Sequence, residues 1–210
     1  MRSTCMRALR HKPLILPGVI LWVIAAGFGF LKLARFENAP GEATAAPAQW
    51  PQSSEIRRDA SRPTLVIILH PQCACSRAAV GELAIIMSQA EGRADAHALF
   101  FRPAGVGKEW VQNDLWGDAS SIPGVHVRID DQGKEARLFH ATASGAVVLY
   151  DRDGRLIFEG GITPSRSHSG DNAGRSAIVA LLDGGRPERS RTFVFGCSLL
   201  DSRTLAGDSK

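Results

Sequence analysis

Between Thr64 and Leu69 the chain reads TLVIIL, a nearly unbroken apolar run in which four of six residues are β-branched. The next eight residues, His70–Arg77 (HPQCACSR), lead into SRAAVGELAIIMSQAEG, where Val80, Leu83, Ala84, Met87 and Ala90 recur at helical spacing and Gly92 is a stop signal. A strand that is apolar at every position is one buried on both faces. It needs cover above and below, so this one junction restricts the chain to a layered α/β architecture. The same junction places two cysteines, Cys73 and Cys75, where the helix begins.

The remaining pattern extends that reading. AHALFF (96–101) predicts a second strand, and GKEWVQNDLWGDAS (107–120) a short helix with Trp110 and Trp116 near the core. GVHVRID (124–130) alternates as a strand, and KEARLFH (134–140) reads as a short helix after a DDQG turn. GAVVLYDRDGRLIFEGG predicts a hairpin, with strands over 145–151 and 155–160 about a turn at Arg152-Asp153-Gly154. NAGRSAIVALLDGG (172–185) gives a final helix, and a tail containing TFVFGCSLL (192–200) follows. Strands alternating with helices and then a hairpin imply a mixed sheet with helices on both faces.

The 210-residue chain is basic, with a net charge of +4, but the charge is concentrated at one end. Residues 1–36 hold Arg2, Arg7, Arg10, Lys12, Lys32 and Arg35 and no acid, which leaves 19 basic against 21 acidic residues elsewhere. A body of net charge −2 lacks the basic surface that nucleic-acid binding needs. The N-terminal charge flanks LILPGVILWVIAAGFGFL, Leu14–Leu31, 18 residues without a charge. At ~1.5 Å per residue the segment spans about 27 Å as a helix, close to the thickness of a bilayer's hydrocarbon core. Four basic residues precede it and two follow, so the positive-inside rule puts the N-terminus in the cytoplasm and the rest outside. A cleaved signal peptide is the rival reading, with a small-residue site at Ala43-Thr44-Ala45; the length of the apolar run favours an uncleaved anchor. The expected organisation is a cytoplasmic basic segment (1–13), a transmembrane anchor (14–31), an Ala/Pro-rich linker (32–62), a folded domain (63–185) and a C-terminal tail (186–210). Trp50 in that linker reads as a partly packed aromatic.

A buried strand running into a dithiol that opens a helix, with an LYDRDGRLIFEGG hairpin some 70 residues later and a last helix after it, resembles the thioredoxin-like fold. The resemblance covers roughly residues 60–185. It implies an α/β three-layer sandwich with a mixed central sheet, here preceded by a transmembrane helix. The sequence looks most like the membrane-tethered, extracytoplasmic thioredoxin-like proteins of bacteria, which include cytochrome-maturation reductases. GGITPSRSHSGDNAGR and the late FGC are similar to a RedB-type branch. The family implies a location on the inner membrane with the domain in the periplasm, and protein thiols or disulfides as substrates. It usually carries CxxC and a cis-proline that holds substrate backbone opposite the dithiol and shields the thiolate from metals. This chain carries CxC, and Thr142-Ala143-Ser144-Gly145 stands in the proline's place.

The residues support the same chemistry by themselves. Free N–H groups and the positive end of the helix dipole stabilise a thiolate at a helix start. Cys73 is accordingly the expected nucleophile and Cys75 the resolving thiol, with Arg77 adding positive charge nearby. A disulfide closed over a single intervening residue is geometrically tight, so strain favours the dithiol and makes the couple more oxidising. No Gly-rich dinucleotide fingerprint occurs, and no organic cofactor is implied. The Thr and Arg constellation of a thiol peroxidase is not seen.

Two further readings come from other classes. Three cysteines on the oxidising side is an odd number: pairing Cys73 with Cys75 leaves Cys197 free, and pairing Cys197 with either leaves one of the close pair free. Cys73 and Cys75 with Cys197 or a histidine such as His168 could instead hold a soft metal, Cu(I) or Zn, in a copper-handling protein of the kind the Sco-type chaperones exemplify by analogy. A redox-inert adaptor that keeps only the fold is the third. Among single residues, Cys197 reads equally well as a packed tail residue, His168 as a surface histidine, and His70 as a partly buried histidine able to tune Cys73. Cys5 lies on the reducing side and needs no role. The loop GITPSRSHSGDNAG reads better as a capped helix entrance, with Asp171 or Asn172 as N-cap, than as an anion site.

Overall fold

The computed structural model describes residues 12–41 and 45–200, divided between an N-terminal unit ending at Asn38 and a body that starts at Ala39. The basic stretch around Arg2, Arg7 and Arg10, Cys5, and the greater part of the Ala43-Thr44-Ala45 site lie outside the described residues. The first unit is one helix, α1 (Lys12–Glu37), longer at its C-terminal end than the charge-free run suggests. Its Leu16–Glu37 segment has a mean hydropathy of 1.9, long and apolar enough to cross a membrane. Trp22 and Phe30 are among the apolar side chains it exposes.

In the body, β1 (Thr64–Leu69), β2 (Asp95–Arg102), β3 (Val125–Asp131), β4 (Ala146–Tyr150) and β5 (Leu156–Gly161) form one sheet in the order β3-β2-β1-β4-β5. β1 runs parallel to β2, and β2 to β3, through the crossovers α2 (Ala74–Ala90) and α3 (Asp114–Ser120). β4 runs antiparallel to β1, and β5 to β4. The mixed sheet follows the expected order of elements.

Strand β1 lies at the centre, and all six of its residues are buried. The two-residue period of the strand divides them. Leu65, Ile67 and Leu69 pack with Leu83 and Ile86 of α2 and with Ile178 of the last helix, α5 (Ala173–Leu182). Val66 and Ile68 face the opposite layer with Ile56, Phe139 and Tyr150. That second layer holds the short helix α4 (Lys134–Leu138), and also part of the segment expected to be a linker.

From Ala45 to Arg62 the chain is a strap laid on the domain. Tyr150 Oη donates to the Pro47 carbonyl at 2.9 Å, and the Trp50 N–H donates to Gly154 O at 2.8 Å. Trp50 stands edge-on to Phe139 and Tyr150, with ring centroids 5.1 and 5.2 Å away. The carboxylate of Glu135 accepts from Ser54 Oγ (2.7 Å) and the Glu55 N–H (2.8 Å). Composition identified an irregular segment but could not show that its few apolar residues complete a core.

Two other boundaries differ from expectation. The helix expected over 107–120 is a 3₁₀ turn, Lys108–Trp110, followed by α3, because Asn113 interrupts it as an N-cap that accepts from the Trp116 N–H. Helix α2 begins at Ala74, two residues before the periodic run, with Cys73 as its N-cap.

Helix α2 also carries a fully buried acid, Glu82. Its carboxylate accepts from Arg175 Nη1 (2.5 Å), the Gly170 N–H (2.7 Å) and Asn172 Nδ2 (3.2 Å). The loop before α5 is therefore organised around an anion, and that anion is the chain's own side chain. Asn172 caps α5 as expected, accepting from the Arg175 N–H at 2.8 Å. Removing one partner of a buried ion pair leaves the other charge uncompensated. Glu82→Ala is expected to lose about 3–5 kcal/mol of stability in urea unfolding, with Glu82→Gln, which keeps an acceptor for the Gly170 N–H, losing less.

Candidate functional site

The C-terminal end of β1 fixes where the two cysteines stand. After Leu69 the chain turns through His70 and Pro71. The Cys73 N–H donates to His70 O (3.3 Å), the His70 N–H to Ser76 Oγ (2.9 Å), and Asn113 Nδ2 holds the Pro71 carbonyl at 2.8 Å. Cys73, with extended backbone (φ −114°, ψ 125°), then starts α2, and Cys75 follows in its first turn. Both side chains are buried.

The segment between α4 and β4 approaches from the other side. Ser144 Oγ lies 3.5 Å from Cys73 Sγ, so the place aligned with the family's substrate-binding loop does face the dithiol. Gly145 continues this segment with φ +81°, a conformation that favours glycine, and its N–H donates to Ile68 O of β1 at 2.7 Å.

The tail supplies a third sulfur. Cys197 Sγ stands 3.2 Å from Cys73 Sγ, and the sulfurs of Cys73, Cys75 and Cys197 all lie within 4.8 Å of one another. Cys197 itself is exposed, so it is not a packed core residue. Cys75 Sγ has a separate partner, Ser167 Oγ at 3.4 Å. Ser167 lies in the loop organised by Glu82 and has a positive φ of 60°. Neither Ser144 nor Ser167 was identified as a site residue from the sequence. Ser144 could have been found from its place in the aligned segment, whereas nothing local marks Ser167.

Electrostatics separate the paired sulfurs. Burial opposes ionisation of Cys73. Hydrogen bonds from Ser144 Oγ, the Ser76 N–H, the Cys197 thiol and the Cys75 N–H outweigh it and lower the pKa to about 7. Burial pushes the Cys197 thiol up to about 12, helped by its hydrogen bond to Cys73 and by the negative charge of the neighbouring sulfurs. Cys73 therefore carries the negative charge, and Cys197 keeps its proton and donates it.

Other expected participants stand elsewhere. Arg77 is paired with Asp114 (2.7 Å) and Asp118 (3.4 Å) on α3, and hydrogen bonds instead lower the Cys73 pKa. His168 is exposed, with Nδ1 bonded to Arg166 O at 2.6 Å, and does not join the sulfur cluster. His70 packs edge-on to Trp110 (5.4 Å), accepts from the Gln72 N–H at Nδ1 (3.2 Å), and has its pKa lowered by burial, which keeps the ring neutral. A cavity of about 680 Å³ opens beside the tail, lined by Thr142, Thr163, Phe193 and Phe195 among others, but by none of the three cysteines. The three cysteines thus stand outside that cavity, beside the tail.

No protein-family model matches the chain, and no curated protein matches it. Solved structures do. A hypothetical protein from Sinorhizobium meliloti aligns with a TM-score of 0.57 at 18% identity, over 78% of this chain and 97% of its own. An uncharacterized conserved protein from Geobacillus kaustophilus aligns with a TM-score of 0.55 at 17% identity, over 79% and 95%. A secreted Mycobacterium tuberculosis disulfide oxidoreductase aligns more weakly, with a TM-score of 0.41 at 13% identity over 59% and 82%. At the identities of the first two the likeness is one of fold. A central strand flanked by one parallel and one antiparallel neighbour, covered on both faces and running into a cysteine at a helix start, is the thioredoxin-like fold, and the chain has it.

Proposed function

We propose that this chain is a membrane-anchored, extracytoplasmic protein that exchanges thiols and disulfides, with Cys73 as nucleophile and Cys75 as the second thiol of the couple. The observation that carries the reading is Cys73 itself: a cysteine at the first turn of α2, with its pKa lowered to about 7 by converging hydrogen bonds. A thiol of that pKa is substantially ionised at neutral pH, and the thiolate is the attacking species.

In the reducing direction the Cys73 thiolate attacks one sulfur of a substrate disulfide and expels the other as a thiolate, leaving a mixed disulfide. The Cys75 thiol, after losing its proton, attacks Cys73 Sγ, forms the Cys73–Cys75 disulfide and releases the second substrate thiolate. The oxidising direction is the reverse. Helix α1, with basic residues at its N-terminal side, serves in this reading as an uncleaved inner-membrane anchor that places the body in the periplasm.

One observation favours a second reading. Three thiols with sulfurs mutually within 4.8 Å form a soft donor set suited to Cu(I), while among the described residues no histidine or carboxylate joins them to supply the fourth ligand of a typical zinc site. In a copper-handling protein Cys73, Cys75 and Cys197 would hold the ion.

Full-length protein in detergent micelles is expected to accelerate insulin reduction by dithiothreitol, and Cys73→Ser to return the rate to background. Stoichiometric Cu(I) retained after anaerobic purification, with no insulin reduction, would reverse the ranking. Because the thiolate is the reactive form, alkylation of Cys73 by iodoacetamide should quicken as pH rises, with a midpoint near the depressed value of about 7. Ser144→Ala removes a hydrogen bond that favours the thiolate, and should move that midpoint upward by roughly one unit, the equivalent of about 1.4 kcal/mol.

A further inference from the structure

The last described residues of the chain are held across the site by bonds on both sides of Cys197. Before it, the chain pairs with β5: the Glu159 N–H donates to Ser190 O (3.0 Å), the Thr192 N–H to Glu159 O (3.1 Å), and Thr192 Oγ1 to Gly161 O (2.8 Å). Arg191 forms an ion pair with the Glu159 carboxylate. At and after Cys197 the chain pairs antiparallel with residues 142–144. The Ser144 N–H donates to Cys197 O (2.9 Å), the Cys197 N–H to Ser144 Oγ (3.0 Å), and the Leu199 N–H to Thr142 O (2.7 Å). Arg166 Nη1 holds the carbonyl of Gly196 at 2.5 Å. Gly196 packs so closely on Ser144 that a Cβ there would collide with the Ser144 carbonyl. A segment with this many directional contacts is docked on the body, and its cysteine meets Cys73 sulfur to sulfur.

We propose that this tail makes Cys197 the third redox thiol of the site: the disulfide formed at Cys73 resides on the Cys73–Cys197 pair, and Cys197, the exposed residue of the pair, is where a partner protein's thiol exchanges. The proposal rests on the exchange reading above and adds to it the route by which oxidising equivalents reach the surface.

Geometry favours this pair over the neighbouring one. The Cys73 and Cys197 sulfurs are 3.2 Å apart, and an S–S bond of about 2.05 Å needs a closure of little more than ~1 Å between two separate chain segments. Cys75 is linked to Cys73 through one residue, and its sulfur is engaged with Ser167 Oγ. Once a Cys73–Cys75 disulfide has formed, Cys197 loses its proton to solvent and attacks Cys73 Sγ. The Cys73–Cys75 bond breaks, and Cys75 leaves as a thiolate and takes up a proton. No net oxidant or reductant is consumed in that step. In the Cys73–Cys197 disulfide the exposed residue is Cys197 and the better leaving thiolate is that of Cys73. An incoming thiolate accordingly bonds to Cys197 Sγ and expels Cys73.

The test uses full-length protein in detergent micelles, freed of metal by a chelator and oxidised with diamide, then alkylated and digested with trypsin. A Cys73–Cys75 disulfide lies within one tryptic peptide, which ends at Arg77, whereas a Cys197 disulfide joins two peptides. The expected product is the joined pair, still formed in Cys75→Ser and absent from Cys197→Ser. Gly196→Ala, which keeps all three thiols, should lower its yield about tenfold or more by lifting the tail. A mixed disulfide trapped with a peptide thiol should map to Cys197. If wild type instead yields only the Cys73–Cys75 disulfide, with Cys197 freely alkylated, the proposal fails while the exchange reading stands. If no intramolecular disulfide forms among the three, both fail.

Discussion

Strand β1 is bonded on both sides, to β2 and to β4, and buried on both faces. It is held by hydrogen bonds at both edges and by packing on both faces, and the turn to Cys73 begins at its C-terminal end. Several groups near Cys73 take their position from that end. His70 and Pro71 continue β1, α2 starts from it, and Gly145 donates to the Ile68 carbonyl and so places Ser144. A functional site built on a rigid element holds its geometry better than one built on a free loop. The long loops on either side of the site are fixed to the same frame, one by Asn113 and the other by Glu82.

The charge of Cys73 is set by short-range contacts. Sequence logic assigned its activation to the free N–H groups and dipole of the helix start and to Arg77; the Ser76 and Cys75 N–H groups of that first turn do contribute, but Arg77 is neutralised by two acids of α3. The Ser144 hydroxyl and the Cys197 thiol, which the sequence did not assign this part, add to them against the cost of burial. This distinction has a physical consequence. A nearby guanidinium acts through space and is screened by salt, whereas directional hydrogen bonds in a partly desolvated site are screened much less.

Residues whose role is written in local pattern were legible, and residues whose role depends on distant contacts were not. TLVIIL, the hairpin and the helical spacing of Val80, Leu83 and Met87 state their own environment, because burial on one or both faces leaves a period in the sequence. That pattern was enough for the order of elements and for placing Cys73 at a helix start. The strap was not legible, since Ile56 is one apolar residue in a polar stretch and its burial depends on Phe139 and Tyr150 far along the chain. The same holds for Ser167, which meets Cys75 only because Glu82, a lone acid on an otherwise apolar helix face, gathers the loop that carries it. Cys197 was visible as an unpaired thiol, but its meeting with Cys73 depends on main-chain bonds between residues 142–144 and the tail, which no side-chain pattern encodes.

The tail also changes what reduced thiols can do. Cys73 is the more readily ionised thiol and is a buried residue; Cys197 is an exposed residue whose thiol holds its proton more tightly. Attack on a bulky disulfide requires a sulfur that is both ionised and reachable. In the closed arrangement these two properties belong to different residues. Bringing them together requires either a proton to leave Cys197 or the tail to lift from Ser144. The second route breaks the Ser144–Cys197 hydrogen bonds, including the one that Ser144 Oγ accepts while it faces Cys73. Lifting the tail therefore exposes Cys73 and at the same time removes the Cys197 thiol that stabilises its charge, so access and ionisation are coupled through one hydrogen-bonded segment.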